Sequence, residues 1–466
     1  MVRAGATTPV VGERRGAGAV LALACVAQLL VVLDVSVINV ALPSIRADLD
    51  LTPAGAQWVA TAYLLAFGGL LLLGGRLADL YGRRRAVVAG LGVVTVASVV
   101  GGVAGDPAVL VAARAAQGMG GAVLAPATLT LVTTTFAEGS RRTWALAIWT
   151  ATSVAGGAAG SLLGGVLTEY LSWRATLLVN VPAGGMALVA ALRVLSADAR
   201  PGRGRLDVPG ALLATAGLAA LTLGVASARD HGWADQRTLT ATAAGLTVLA
   251  AFVVVEARFA NEPVLPPRLL RRRGLAVGNV VMLLAAAGFQ AAMWYFLTFF
   301  MQDALHYGPL RTGLGFLPHT LLTVVVGWRV TPWLLRHLTS RTLVVAGALL
   351  AAAGFAWQSR GTPDSGYLAG VLGPALLLAS GGGLLNTPLT ATVTAGVPAA
   401  DAGAASGLMN TTKQVGGALG LSALLAAAGG PQATVDYRSA FLGGAVVLLV
   451  AAATALALPT FRDDRG

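Results

Sequence analysis

The chain has 466 residues, of which 56% are hydrophobic and 11% charged, with a mean hydropathy of +0.76. Soluble domains carry about 25% charged residues, so a chain this apolar cannot cover a water-facing surface; a soluble protein is excluded and a polytopic protein in contact with the lipid bilayer remains. The net charge of +12 would suit nucleic acid in a soluble protein, but these arginines punctuate the ends of apolar runs, which excludes nucleic acid as a partner.

Two singletons narrow the chemistry. Cys25 is the only cysteine, leaving no intrachain disulfide and no cysteine-based metal site. Lys413 is the only lysine, and it follows Asn410-Thr411-Thr412, so no phosphate-binding loop with its obligatory lysine exists and ATP-driven transport by this chain alone is not expected. No loop holds a His/Asp/Glu cluster with metal-ligand spacing. Neither a metal nor a cofactor is expected. Leu21 to Cys25 hints at a lipoprotein signal, but the apolar run continues past Cys25 and reads as an uncleaved first span.

Apolar windows predict about fourteen transmembrane helices: 19–41, 56–75, 86–104, 108–132, 144–167, 175–195, 209–227, 238–256, 275–301, 313–335, 341–358, 366–390, 404–428 and 439–459. An even number puts both termini on one side. Arg83, Arg84, Arg85, Arg141, Arg142, Arg203, Arg205, Arg271, Arg272 and Arg273 then share that side, which the positive-inside rule makes cytoplasmic.

Span 1 carries Leu33-Asp34-Val35-Ser36-Val37-Ile38-Asn39-Val40-Ala41-Leu42-Pro43. Asp34 is the only carboxylate well inside an apolar span. A charge there costs about 3 kcal/mol or more, so it serves either to carry a proton or to bond a neighbouring helix. Residues 74–85, Gly-Gly-Arg-Leu-Ala-Asp-Leu-Tyr-Gly-Arg-Arg-Arg, read as a tight cytoplasmic loop with Gly75, Arg76, Asp79, Gly82, Arg83 and Arg84 at fixed offsets. It is either a generic basic loop or a conformational element. Asp79 is expected near the start of span 3, where a helix N-terminus favours negative charge.

Span 4 places Arg114, Gln117, Gly118 and Gly121 on one helical face. Arg114 is either a coupling residue close to Asp34 or a cation bonded to backbone carbonyls. In span 5, Gly156, Gly160 and Gly164 form a small-residue stripe, with Gly165 beside it, that lets another helix approach closely. In the second half, Gln290, Met293 and Trp294 share a face of span 9, and Asn410, Lys413, Gln414 and Gly417 share one of span 13. Lys413 is an intramembrane cation and so a substrate or coupling candidate. His319 in span 10 reads as a packing or hydrogen-bonding residue before a proton carrier.

The chain also repeats itself. Gly327-Trp328-Arg329 echoes Gly74-Gly75-Arg76, and Gly382-Gly383-Leu384-Leu385-Asn386-Thr387-Pro388 echoes Gly120-Gly121-Ala122-Val123-Leu124-Ala125-Pro126. Spans 1–6 thus correspond to spans 9–14, two parallel halves at 1–195 and 261–466, with an inserted helix pair in 196–260.

These motifs resemble the fourteen-helix drug–proton antiporters of the major facilitator superfamily. The 74–85 stretch matches the G-x-L-A-D-x-x-G-R loop; span 1 is similar to L-D-x-T-x-V-N-V-A-L-P and span 4 to R-x-x-Q-G-x-G-x-A. Span 5 resembles G-x-x-x-G-P-x-x-G-G with Ser161 in place of proline. Trp173-Arg174 through Asn180-Val181-Pro182-Ala183-Gly184 is similar to W-R-x-x-F-x-x-N-x-P-x-G. The resemblance implies an all-α integral membrane fold of two pseudo-symmetric six-helix bundles plus an inserted pair. It also implies proton-coupled efflux of drug-like or antibiotic molecules from a bacterium across its plasma membrane, by a chain functional as a monomer. Asp34 and Arg114 would couple the proton and the 74–85 loop would balance the two states. Asn39, Gln117, Gln290, Trp294, Tyr295, Asn410, Lys413 and Gln414 are the substrate-binding candidates. A cavity with so few acids is expected to take neutral, monocationic or anionic amphipathic compounds rather than dications. A metabolite exporter, an importer and, more remotely, a polytopic membrane enzyme remain as alternatives.

Overall fold

The structure is a computed structural model that describes residues 11–136, 140–195, 208–258, 267–395, 397, 402–429 and 435–460. Every predicted span is a helix. They are α1 (Val11–Asp48), α2 (Pro53–Tyr81), α3 (Arg83–Gly102), α4 (Pro107–Thr135), α5 (Ser140–Tyr170), α6 (Trp173–Val194), α7 (Val208–His231) and α8 (Gln236–Arg258). There follow α9 (Arg273–Ala304), α10 (Pro309–Leu334), α11 (Ser340–Gln358), α12 (Leu368–Thr394), α13 (Ala402–Ala427) and α14 (Tyr437–Ala455). Among the described residues, 11 helices are long and apolar enough by themselves to cross a membrane.

Local chemistry sets several of the ends. Thr52 accepts from Gly55 N (3.1 Å) and Asp106 from Ala108 N (2.7 Å), each just before a proline that opens the helix; Asp436 caps α14 in the same way. The 74–85 stretch is less of a loop than expected. α2 continues to Tyr81 and α3 starts at Arg83, so Gly82 alone, at φ 96°, reverses the chain. Asp79 therefore sits in the last turn of α2, not at the start of α3. The side chains of Arg76 and Asp79 lie outside the described residues.

Glycines decide which helices touch, and they do so twice. A Cβ on Gly90 would meet Gly120 O at 3.1 Å where α3 crosses α4; a Cβ on Gly347 would meet Gly381 O at 2.7 Å where α11 crosses α12. The stripe on α5 lies on α1: a Cβ on Gly160 would come to 2.7 Å from Ser36 Cβ, and one on Gly164 to 2.7 Å from Val37 O. Its counterpart is Gly416 and Gly420 of α13, where a Cβ would collide with Leu283 and Ala287 of α9. Thr130 and Thr392 also donate alike to the carbonyls of Pro126 and Pro388, at 2.9 and 2.8 Å. The sequence echo is thus a packing echo. The inserted pair packs on itself, through Gly217, Gly224 and Gly245, and α7 wedges Leu218 against Leu65 of α2 and Val415 of α13.

The two bundles meet unevenly along their length. Gly82 and its arginines mark one end; Asp48, Asp106, Asp303 and Asp436 mark the far end. At the far end, Gln302 Nε2 donates to Val40 O (2.9 Å), Arg46 pairs with Asp303 (3.7 Å), and Gly165 lies on Pro309. Nearer the middle, Gln57 Nε2 donates to Ser422 Oγ (2.5 Å) and Thr411 Oγ1 to Gly68 O (2.9 Å). One large core takes its first-bundle members, such as Ile38, Leu42, Ile45 and Val59, from the far end and joins them to the second bundle. Towards the arginine-rich end the cores are separate, one confined to α1–α4 and α6 and another to α10–α12. Among the described residues, the shared core and the polar links between the bundles gather towards the far end.

Gly160→Val should cost about 1–3 kcal/mol of stability through overpacking against α1, read as thermal unfolding in detergent. Gly157→Ala, whose Cβ would meet nothing nearer than Ser36 Oγ at 3.9 Å, should leave the transition where it is.

Candidate functional site

Asp34 lies mid-way along α1 and is 2% exposed. Arg114 Nη1 from α4 forms a short ion pair with its Oδ2. Its Oδ1 accepts from Gln117 Nε2 (2.8 Å) and from Asn180 Nδ2 of α6 (2.7 Å). Both carboxylate oxygens are therefore held, by two further helices. Arg114 is in turn held by Val59 O of α2 at its Nε (3.2 Å), by Gln117 Oε1 (2.8 Å) and by the face of Tyr63, 4.7 Å from the ring centre. Ser98 Oγ of α3 accepts from Gln117 at 2.8 Å. Opposite charges about 4 Å apart attract by about 4 kcal/mol at an effective dielectric of 20, which offsets part of their desolvation. A proton on Asp34 would cancel that attraction and leave Arg114 uncompensated.

The helix turns place these groups as the sequence spacing requires. Arg114 and Gln117 are three residues apart and face the same way. What spacing could not show is Asn180. It belongs to the Trp173–Gly184 motif, yet nothing in the sequence ties it to a carboxylate 146 positions away. Tyr63 and Ser98 lie in spans that carry no motif.

The second bundle holds a cavity of about 200 Å³. Gln290 and Trp294 of α9, His319 and Thr323 of α10, Asn386 of α12 and Lys413 of α13 line it among apolar neighbours. Around Trp294 the helix widens into a π-turn at Ala291–Phe296, a feature common at functional sites. Trp294 packs on Phe316 at 5.1 Å and edge-on to His319 at 6.5 Å.

The predicted binding residues thus separate. Gln290, Trp294 and Lys413 meet at the cavity. Gln117 is committed to Asp34. Tyr295 is buried, and its hydroxyl donates to Pro53 O (3.4 Å) across the bundles. Gln414 lies against Gly68 at the α2–α13 contact, Asn410 is exposed, and Asn39 is partly buried in α1; none of the three lines the cavity. Gly156, Gly160 and Gly164 lie on α1 around Asp34, whereas Gly165 faces α10 together with Ser161, whose carbonyl is 2.5 Å from where a Gly313 Cβ would stand. Arg83 donates to Thr134 Oγ1 (2.9 Å) and Arg84 to Leu192 O (3.1 Å), tying α3 to α4 and α6.

Residues 24–421 match the profile of the Major Facilitator Superfamily. The chain belongs to this superfamily. Among its relatives is the cephamycin export protein CmcT of Amycolatopsis lactamdurans, 55% identical over 98% of this chain and 96% of that one. The puromycin resistance protein pur8 of Streptomyces alboniger is 42% identical over 97% and 92%. A crystal structure of the peptide transporter POT with alafosfalin, at 17% identity, superposes with a TM-score of 0.68 over 96% of this chain and 98% of that one, which is a likeness of fold. The superfamily fold is a multi-pass membrane transporter built from two parallel bundles, as described above.

Arg114→Gln should destabilise the protein by about 3–5 kcal/mol, because it strands a buried carboxylate. Adding Asp34→Asn to it should recover much of the loss, since charge is then removed from both sides. Thermal unfolding of the two single variants and the double variant gives the coupling.

Proposed function

We propose that this chain is a proton-coupled exporter of antibiotic-class small molecules that works by alternating access in a bacterial plasma membrane. The observation that carries the reading is the buried Asp34–Arg114 pair, completed by Gln117 and Asn180, in a chain 55% identical to a cephamycin exporter. The arginine-rich end is the cytoplasmic end by the positive-inside rule, and both termini are cytoplasmic. The shared core and polar links between the bundles then lie on the outward side. No cofactor takes part, the protein is not an enzyme, and the monomer is the working unit.

The chemistry follows from the geometry. Asp34 exchanges a proton; the neutral acid no longer holds Arg114, and the α1–α4–α6 contact loosens. α5 lies with its glycine stripe on the Asp34 segment of α1 and with Ser161 and Gly165 on α10. A shift of α1 is therefore passed to the inter-bundle contact. Each proton moving inwards supplies about 2.3 kcal/mol per 100 mV of membrane potential, plus the pH term. Ser161 replaces the proline of the export motif, yet α5 remains a continuous helix there, with Ser161 Oγ donating to Gly157 O at 3.2 Å.

Asp34→Asn should abolish pH-gradient-driven flux of a cephamycin or puromycin in inverted vesicles, while binding to purified protein persists. The same vesicles report direction. Continued proton release on substrate addition to Asp34→Asn would overturn the role of Asp34.

A further inference from the structure

The structure assigns the second-bundle cavity as a site for an organic monoanion, with Lys413 as counter-ion to a substrate carboxylate. The assignment rests on the export reading and deepens it.

The first support is charge. Arg114 and Lys413 both lie in span interiors, but among the described residues Arg114 has its acid and Lys413 does not. Asp34, the acid that could have served both, has its two oxygens taken by Arg114, Gln117 and Asn180. Among the described residues lining the cavity there is no Asp or Glu. The carboxylates of Asp48, Asp303 and Asp436 are at the far end of the bundle, with Asp48 held by Trp173 and Arg174, Asp303 by Arg46 and Tyr437, and Asp436 by the first turn of α14. The cavity thus carries one positive charge in surroundings of low dielectric, where an unpaired charge is costly and a ligand that brings the opposite charge is favoured.

The second support is the direction of the other polar groups. Thr320 and Thr323 spend their protons on the carbonyls of Phe316 (3.1 Å) and His319 (2.8 Å). One Asn386 Nδ2 proton is spent on Gly382 O (2.9 Å), and His319, with its proton on Nδ1, donates to Ala375 O (3.4 Å). What these groups offer a ligand is mostly acceptors, with the second Asn386 N–H as the remaining donor among them. Lys413 and the Gln290 amide supply donors. Gln290 is held by α13 itself, its Oε1 pressed on Gly417, with no hydrogen-bond partner for that buried oxygen. The site is therefore polarised. Lys413 and Gln290 receive an acid, the wall of α10 and α12 receives N–H or O–H donors, and Trp294 and Phe289 cover apolar surface. A compound with one carboxylate, an amide N–H and an apolar body fits; a dication does not.

The experiment compares a mono-carboxylate cephamycin with its methyl ester, two ligands of nearly equal shape and different charge. Binding to the purified wild type should favour the acid by about tenfold or more, and added salt should narrow the gap. Lys413→Gln should weaken binding of the acid far more than that of the ester and so bring the two level, and Lys413→Arg should restore the preference. Equal binding of acid and ester by the wild type overturns the assignment and needs no variant. So does an unchanged ratio in Lys413→Gln. Export of the ester alone would leave the export reading standing and overturn the anion site. Failure of the wild type to bind or move either compound, or puromycin, would overturn both.

Discussion

A carboxylate and a guanidinium removed from water are tolerable only while each has its partner, and the first bundle is assembled around that condition. Asp34 comes from α1, Arg114 and Gln117 from α4, Asn180 from α6, with Val59 and Tyr63 of α2 and Ser98 of α3 closing the shell. Five helices are fixed to one charge. In the proposed mechanism, a proton on Asp34 removes that charge and releases the shell.

The glycine stripes supply what the charge cannot, which is contact close enough to transmit a small displacement. α5 is a helix with two working faces. One meets α1 at the level of Asp34, the other meets α10 at Ser161 and Gly165. With no side chains to absorb movement between backbones, α1 and α10 are coupled through α5. The same close approach recurs between α13 and α9, where Gln290 and Lys413 stand. The duplicated architecture thus puts the buried Asp34–Arg114 pair on one copy of a packing unit and the cavity on the other.

The division of labour between the ends is also physical. At the far end the bundles share a core and several polar links, among them Gln302 to Val40 O and Arg46 to Asp303. Among the described residues, each bundle keeps its own core towards the arginine-rich end. On the proposed alternating-access reading, changing state would mean breaking the shared core at the far end.

Much of this was legible in the sequence. Apolar windows found the fourteen long helices of the described residues, because a membrane span has to be long and uninterrupted. Asp34 and Lys413 stood out, because charge is rare in such runs. Arg114 and Gln117 were paired by helical period. The extent of the turn at Gly82 was misjudged, because arginines at helix ends resemble a loop in composition. The tertiary structure alone decided the rest. It brought Asn180 to Asp34, committed Gln117 and Tyr295 elsewhere than the cavity, left Lys413 with no acid among the described residues, and gathered the links between the bundles at the far end. Sequence reports what each helix carries and with what period. Which face meets which is settled by packing between helices far apart in the chain, where a glycine in one and a carbonyl in another must coincide.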